Sequence, residues 1–504
     1  MASKLPFLLR ERRISFDPGE VLAPLHSTIY SSNSVMSRLS PNILLNSHHG
    51  CVNCIHFSES GRILASGSDD LHIILWDWEK GTQLANFESK HMSNVFQAKF
   101  MPLTNESVLV SASRDGQVRR HVVSSSGELV ATDKVAYHND SAHKLAIEPD
   151  NPHVFLSCGE DGSVLEVDLR EDVPQRNKIL VCKNGKNHRL ALYSIFIDPS
   201  NYNQFAISGR DQFARVYDRR VLANSRTEAS TPRSCEPLQK FCPSHLESPE
   251  SNFHKANITC LVYSHDGKEL LCSYNDEDIY TFDTTVNSCN GEYLKKFVGH
   301  RNNATVKGVN YFGLKSEYVV SGSDCGHVFL WDKNSNDVVQ FFEGDSEGVV
   351  NCLEPHPHLP VLAVSGLDHS IKVCTPYSTR PMDTEHLKEV ISQNFKDRKE
   401  SELAGGENYG FLLEFLMHQY SRSLRRGTGE RDSSDSSSYS EDENEEGPEG
   451  IFVEEGEEGE EGRREVVERR LIWQFPVSRR RHDDDDDDDS DTSSDAEPIN
   501  CAQS

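Results

Sequence analysis

The sequence predicts an all-β fold, a seven-bladed β-propeller, followed by a disordered acidic C-terminal tail. Three observations carry this expectation. An apolar strand, a small-residue turn with Asp, and a second strand alternating in period two recur seven times between Ile63 and Thr375. In all seven units the turn residue stands seven positions before the end of the unit. Beyond the array the charge changes character: Glu430–Ser504 holds 27 acidic and 8 basic residues, a net of -19 out of -28 for the 504-residue chain.

The units are Ile63–Asp77, Val108–Val122, Val154–Asp168, Phe205–Asp218, Leu270–Asp283, Tyr318–Asp332 and Val361–Thr375. Their turn column reads Asp70, Asp115, Asp161, Asp211, Asp276, Cys325 and Asp368, at spacings of 45, 46, 50, 65, 49 and 43 residues. His48, His91 and His300 lie upstream of three of these turns, each before another apolar strand. A turn Asp can accept backbone N–H groups and a neighbouring His donor, which holds the turn tight. Such spacing leaves room for four strands per unit. One twisted four-stranded sheet with two apolar faces cannot stand alone, and radial stacking covers both faces. The ring closes when a strand from the N-terminal side, Ile43–Asn46, completes the last blade. Two units depart from the pattern: Cys325 replaces the turn Asp in the sixth, and Asp345 stands where a His is expected in the seventh. The spacing of 65 locates an insertion between Arg220 and Ile258, rich in Ser, Pro and Glu, within which Leu238–Cys242 reads as a strand.

The expected organisation is an N-terminal segment over 1–41, the propeller over 42–377, a helical extension over 378–429 and the tail over 430–504. Leu5–Ile14 reads as a short amphipathic helix or as a frayed terminus, with Pro6 suited only to a first turn. Phe411–Arg426 has helical apolar spacing. The tail, with its seven aspartates Asp483–Asp489, cannot bury enough apolar surface to offset its ordering entropy. Its apolar island Val466–Phe475 and its basic patch Ser478–His482 read as a docking motif and an import signal, or as incidental residues and a charge break. Overall acidity argues against a general nucleic-acid binder. No run of 18 apolar residues exists, which argues against a membrane span. The charges at Arg10–Arg13 follow rather than precede a short apolar stretch, against a signal peptide. Thirteen cysteines, an odd number set in apolar strings, suit buried thiols in a reducing compartment; the expected localisation is nucleus and cytoplasm.

Candidate chemistry is sparse. Cys51 and Cys54 form a CxxC inside a strand, where positions three apart face opposite sides, so core cysteines are expected rather than a metal or redox site. His356, His358 and His369 carry no carboxylate at fixed spacing and are read as structural. No nucleophile-elbow, phosphate-loop or metalloprotease motif occurs, so no catalytic residue, metal or cofactor is expected.

The sharpest signal is a pair of arginines. The third unit ends Asp168-Leu169-Arg170 and the fourth ends Asp218-Arg219-Arg220. Two Asp-x-Arg endings on consecutive blades put two guanidiniums on one rim, where the planar fork suits bidentate recognition of carboxylates or carbonyls. The alternative is that each Arg braces its own turn through its Asp. Residues before the turn column, Asp69, Arg114, Glu160, Arg210, Asn275, Asp324 and Leu367, edge the opposite face. Arg114, Arg210, Asn275 and Arg301 are the candidate client-face residues, but the mixed charge of that rim names no ligand class.

With Gly299-His300, Trp76-Asp77 and Trp331-Asp332, the pattern resembles the WD-repeat propeller. The tandem Asp-x-Arg resembles the double box of WD-repeat substrate receptors of cullin-4 ubiquitin ligases. Longer strings, among them Ser93–Phe100 (SNVFQAKF), Ala256–Gly267 (ANITCLVYSHDG), Gly299–Asn310 (GHRNNATVKGVN) and Asn351–Leu362 (NCLEPHPHLPVL), resemble the DDB- and cullin-4-associated factor 8 family over about residues 45–377. That resemblance implies a non-catalytic receptor. Asp168, Arg170, Asp218 and Arg220 would dock the DDB adaptor of the cullin-4 ligase core, and the opposite face would present an unknown protein substrate for ubiquitination. A scaffold or chaperone for basic proteins such as histones, using the acidic tail and no ligase, remains the alternative reading.

Overall fold

A computed structural model describes residues 30–403 apart from 31, 172–176, 185–186, 227–235, 248–255, 287–291, 347 and 381. The chain divides into two units, residues 1–429 and 430–504. The second unit, Leu5–Ile14 and Phe411–Arg426 all lie outside the described residues.

Seven four-stranded antiparallel sheets follow one another along the chain. Blade one holds β2–β5 (Val52–Phe57, Ile63–Ser68, His72–Asp77, Thr82–Glu88) and blade two β6–β9 (Val95–Phe100, Val108–Ser113, Gln117–Val123, Leu129–Tyr137). Blade three holds β10–β13 (Ala142–Ile147, Val154–Gly159, Ser163–Asp168, Lys178–Val181). Blade four holds β14–β17 (Leu192–Ile197, Gln204–Gly209, Ala214–Asp218, Gln239–Phe241). The strand read within the insertion is thus β17, the outer strand of its blade. Blade five holds β18–β21 (Ile258–Tyr263, Glu269–Tyr274, Ile279–Asp283, Lys295–Phe297) and blade six β22–β25 (Val309–Phe312, Tyr318–Gly322, His327–Asp332, Val338–Glu343). Blade seven is completed as expected from the N-terminal side. β1 (Ser40–Asn46) pairs with β28 (Ser370–Thr375), beside β27 (Leu362–Gly366) and β26 (Val350–Pro355). The strand starts earlier than Ile43 because a register break between Pro41 and Ile43 carries the proline on a sheet edge, where its missing N–H costs little.

Apolar clusters fill the space between neighbouring blades, which is how each sheet covers both faces. Tyr30, Met36 and Leu39 join the cluster between blades six and seven with Phe312, Val350 and Leu362, so the segment before β1 helps close the ring. Gln340 donates to the carbonyls of Ser37 and Leu39 at 3.0 and 2.6 Å.

The turn column works as expected in blades one to three. His48 Nδ1 meets Asp70 at 2.9 Å, its Nε2 meets Ser66 Oγ at 2.8 Å, and the Trp76 indole donates to the same hydroxyl at 2.9 Å. His91 with Asp115 and Ser111, and His138 with Asp161 and Ser157, repeat the arrangement. Elsewhere other chemistry takes over. Arg215 binds Asp211 in blade four, Asp345 accepts from the Asp368 N–H in blade seven, and His300 has no hydrogen-bond partner among the described residues. Cys325 accounts for the last case, since a thiol stands where the carboxylate would be.

Burial alone would raise the Asp70 and Asp115 carboxyls, but their His partners and turn N–H groups outweigh it and hold both at about 2. A depressed carboxyl stabilises the fold above its unfolded value, about 3.9, and that contribution is lost as pH falls through the folded value. Acid unfolding is therefore expected to steepen between about pH 4 and pH 2. Asp70→Asn with Asp115→Asn should flatten that limb of a pH titration followed by circular dichroism. An unchanged limb would mean that the two carboxyls are not what acid attacks.

Candidate functional site

The third strand of a blade runs from the turn-column end to the opposite face, so its two ends carry different sites. At the far ends of β12 and β16 the two Asp-x-Arg segments fold alike. Arg170 donates through Nε and Nη2 to Asp168 at 2.9 and 2.6 Å, and its backbone N–H reaches Oδ1 at 3.0 Å. Arg220 donates to Asp218 at 3.0 and 2.6 Å, with its N–H at 2.8 Å. Each carboxyl is lowered, first of all by the hydrogen bond from its own Arg. One edge of each fork is thereby fixed, while 65% and 64% of the Arg side-chain surface stays open. The pairing that turn bracing requires and a preorganised, accessible guanidinium are the same geometry.

Arg219, the middle residue of the second motif, ties together the two blades that carry the pair. It reaches from blade four to blade three, donating to Glu166 at 2.7 and 3.1 Å, to Glu148 at 3.3 Å and to the Tyr202 carbonyl at 3.4 Å. From the other side Arg120 of blade two donates to the Leu169 carbonyl at 3.2 Å. Leu222 on α2 (Arg219–Arg226; the four-residue α1 and α3 are Asn33–Met36 and Ser244–Glu247) is buried in the cluster between blades three and four and anchors the chain just past Arg220. No sequence signal links Arg219 to partners 53 and 71 residues upstream.

On the turn face Arg114 and Arg210 are exposed, in the β7–β8 and β15–β16 turns. Asn275 is half-buried and leans on Asp276 at 3.4 Å. Arg301 differs from the expectation. Its guanidinium is held by Asp397 and Ser401 at 3.2 Å each, both on α4 (Thr384–Leu403), so this residue faces the chain's own helix rather than open surface. Asp383 caps that helix by accepting from the N–H groups of Glu385 and His386. Along its length Leu387 and Ile391 pack against blade six, Asn394 donates to the Gly299 carbonyl at 2.8 Å, and Arg398 pairs with Glu277 and Asp278. Gly299 has φ 108°, and a Cβ there would come within 3.1 Å of Ile391, so the glycine serves both its own turn and the helix contact.

The central channel has a mouth on each face. The turn-face mouth is a cavity of about 510 Å³ lined by Asp69, Phe96, Arg114, His143, Lys144 and Glu160 among others. The other, about 910 Å³, is lined by the loops after the first strands, including His56, Lys99, Met101, Leu103 and Glu354. Burial raises the Glu354 carboxyl to about 7 against the opposing pull of Lys99 and Lys144. Cys51 and Cys54 are buried, and burial pushes the Cys54 thiol up to about 12. His356 and His358 contact the Gly61 and Glu59 carbonyls at 2.9 Å each, bridging blades seven and one, whereas His369 sits at the opposite end of its blade. Among the described residues no cluster of three or more His, Cys, Asp or Glu side chains is placed to hold a metal ion.

The family profile "WD domain, G-beta repeat" matches residues 40–77, 291–332 and 336–374. The fold and these repeats make the chain a seven-bladed WD-repeat β-propeller. It is 34% identical over 267 residues to "DDB1- and CUL4-associated factor 6" of Homo sapiens, covering 51% of this chain and 30% of that protein. It is also 30% identical over 316 residues to "Protein ALTERED SEED GERMINATION 2" of Arabidopsis thaliana (55% and 41%). To "WD repeat protein iqw1" of Schizosaccharomyces pombe it is 31% identical over 275 residues (50% and 33%). The chain thus spans between 30% and 41% of the length of these curated relatives.

Proposed function

We propose that this chain is a non-catalytic substrate receptor of a cullin-4 RING ubiquitin ligase. It docks the DDB adaptor through Asp168, Arg170, Asp218 and Arg220 and presents a protein client on the turn face. The observation that carries this reading is the pair of exposed, carboxylate-braced guanidiniums on one rim of adjacent blades. Similarity to a protein named as DDB1- and CUL4-associated supports it, and kinship with factor 8 is the narrower form of the same reading. An interface arginine already oriented by its neighbour loses less conformational entropy on binding than a free one. The alternative, a scaffold for basic proteins without a ligase, draws on the tail's net charge of -19.

Affinity purification of the tagged full chain from cells, read by mass spectrometry against an unrelated propeller, tests the reading. The adaptor and cullin-4 are expected among the enriched proteins. Enrichment of basic proteins without either ligase subunit would favour the scaffold.

A further inference from the structure

We propose that the channel mouth on the turn face takes an acidic peptide segment of the client, gripped by Arg114 and Arg210 across a ledge of Phe96, His143 and Tyr193. This rests on the client-face reading above and names the chemistry of that site.

The ledge is built by backbone irregularity. The first strands of six blades lose register around their second residue: Asn53, Phe96, His143, Tyr193, Thr259 and Asn351. A bulge adds an unpaired residue and re-aims its side chain. In blades two, three and four the three bulged residues are aromatic rings in contact. Phe96 stacks on His143 at 5.0 Å and 13°, and His143 meets Tyr193 edge-on at 5.2 Å and 74°. Phe96 and Tyr193, both half-buried on either side of the buried His143, offer a ring or an aliphatic side chain an apolar seat.

Charge selects the occupant. Among the described residues neither the Arg114 nor the Arg210 side chain makes a hydrogen bond or ion pair, and both are exposed. The carboxylates nearby are engaged. Glu160, between the two arginines in blade order, is bound by His143 Nε2 at 2.7 Å; Asp69 accepts from Asn53 at 2.6 Å, and Asp140 from the Ser141 N–H at 2.9 Å. Lys144 adds a further cation to the cavity wall. On blades five and six α4 covers the face, and the cations there are already paired, Arg301 with Asp397 and Lys307 with Asp324. The arc left open by the helix runs from blade seven through blade four, and on blades two and four it carries Arg114 and Arg210, which attract Glu160 only at longer range and whose guanidiniums can bind carboxylates bidentately. A client segment with acidic residues on either side of one aromatic residue fits this arrangement.

The test is fluorescence anisotropy with the full chain and a short labelled peptide of Asp and Glu around one central Tyr, beside its Lys counterpart. The acidic peptide is expected to bind, more weakly as salt rises, and the Lys peptide not to bind. Arg114→Glu with Arg210→Glu should lower affinity at least about tenfold with an unchanged melting curve, since charge reversal replaces attraction with repulsion. Arg114→Ala with Arg210→Ala should give a smaller loss, and Glu160→Gln should leave affinity equal or higher. Wild-type affinity in the charge-reversed variant, or preference for the Lys peptide, overturns the inference. The two readings fail separately. Adaptor capture without acidic-peptide binding sinks this inference alone. Arginine-dependent peptide binding without adaptor capture sinks the ligase reading and leaves a peptide site.

Discussion

Replacing Arg170 and Arg220 together by Ala is expected to abolish measurable adaptor binding while the propeller stays folded. Truncating a buried Arg anchor at a protein interface costs about 2–4 kcal/mol. Each single substitution should therefore lower affinity roughly 30- to 1000-fold, since 1.4 kcal/mol is about a factor of ten. The two sites differ in what truncation leaves behind. The Asp168 side chain is 25% exposed and can hydrate, whereas that of Asp218 is only 6% exposed. Arg220→Ala should thus soften the fold slightly more than Arg170→Ala, although the backbone N–H of residue 220 still satisfies Oδ1. Lys at either position should restore little, because an ammonium cannot keep two bonds to its Asp while offering a planar edge to a partner. Binding of the acidic peptide to the opposite face should be unaffected. If adaptor binding falls only in step with the melting temperature, the arginines brace their turns and do no more.

The largest stability loss is expected from Asp324→Ala. Lys307 is 1% exposed, and its ammonium pairs with Asp324. The other Asp324 oxygen accepts from the N–H groups of Asn303 and Ala304 at 2.6 and 3.1 Å. One carboxylate therefore neutralises a buried cation and pins the loop leading into blade six. Removing one partner of a buried pair costs about 3–5 kcal/mol because the other charge is stranded. Lys307→Met with Asp324→Leu should recover most of that loss in urea unfolding, since a hydrophobic pair leaves no buried charge uncompensated and forfeits only the two loop N–H bonds. Burial holds the Lys307 ammonium below its ordinary value, with Asp324 acting against the shift. A lysine lowered in the folded state weakens the fold below its folded value and ceases to do so as pH rises toward the unfolded value, about 10.4. The deficit of Asp324→Ala should therefore shrink as pH is raised toward 10. A deficit that ignores pH, or a double variant as unstable as the single, would mean that the loop contacts rather than the buried charge carry the energy.

The propeller was legible because its signal is repetitive: a turn residue at one offset from the strand end, seven times, with a leftover N-terminal strand for the incomplete blade. Cys325 and Asp345 were visible as departures, and each proves to sit where the His–Asp pairing is replaced by something else. What escaped the sequence was contact between distant segments. Nothing local in Asp397 or Ser401 says that α4 lies on Arg301, nearly a hundred residues away. Arg219 looked like the middle letter of a motif until its two glutamates were brought up from blade three. The aromatic ledge was hidden for a different reason: period-two alternation assigns each strand residue a face, and a bulge breaks that alternation at the positions that matter.

Hydrogen exchange on the purified adaptor complex tests the central claim most directly. Backbone amides around Asp168–Arg170 and Asp218–Leu222 should be protected by the adaptor, and those of the turns holding Arg114 and Arg210 should exchange as in the free chain. Protection confined to the turn face, or no protection at either Asp-x-Arg segment in a complex that forms, would contradict adaptor docking through the arginine pair.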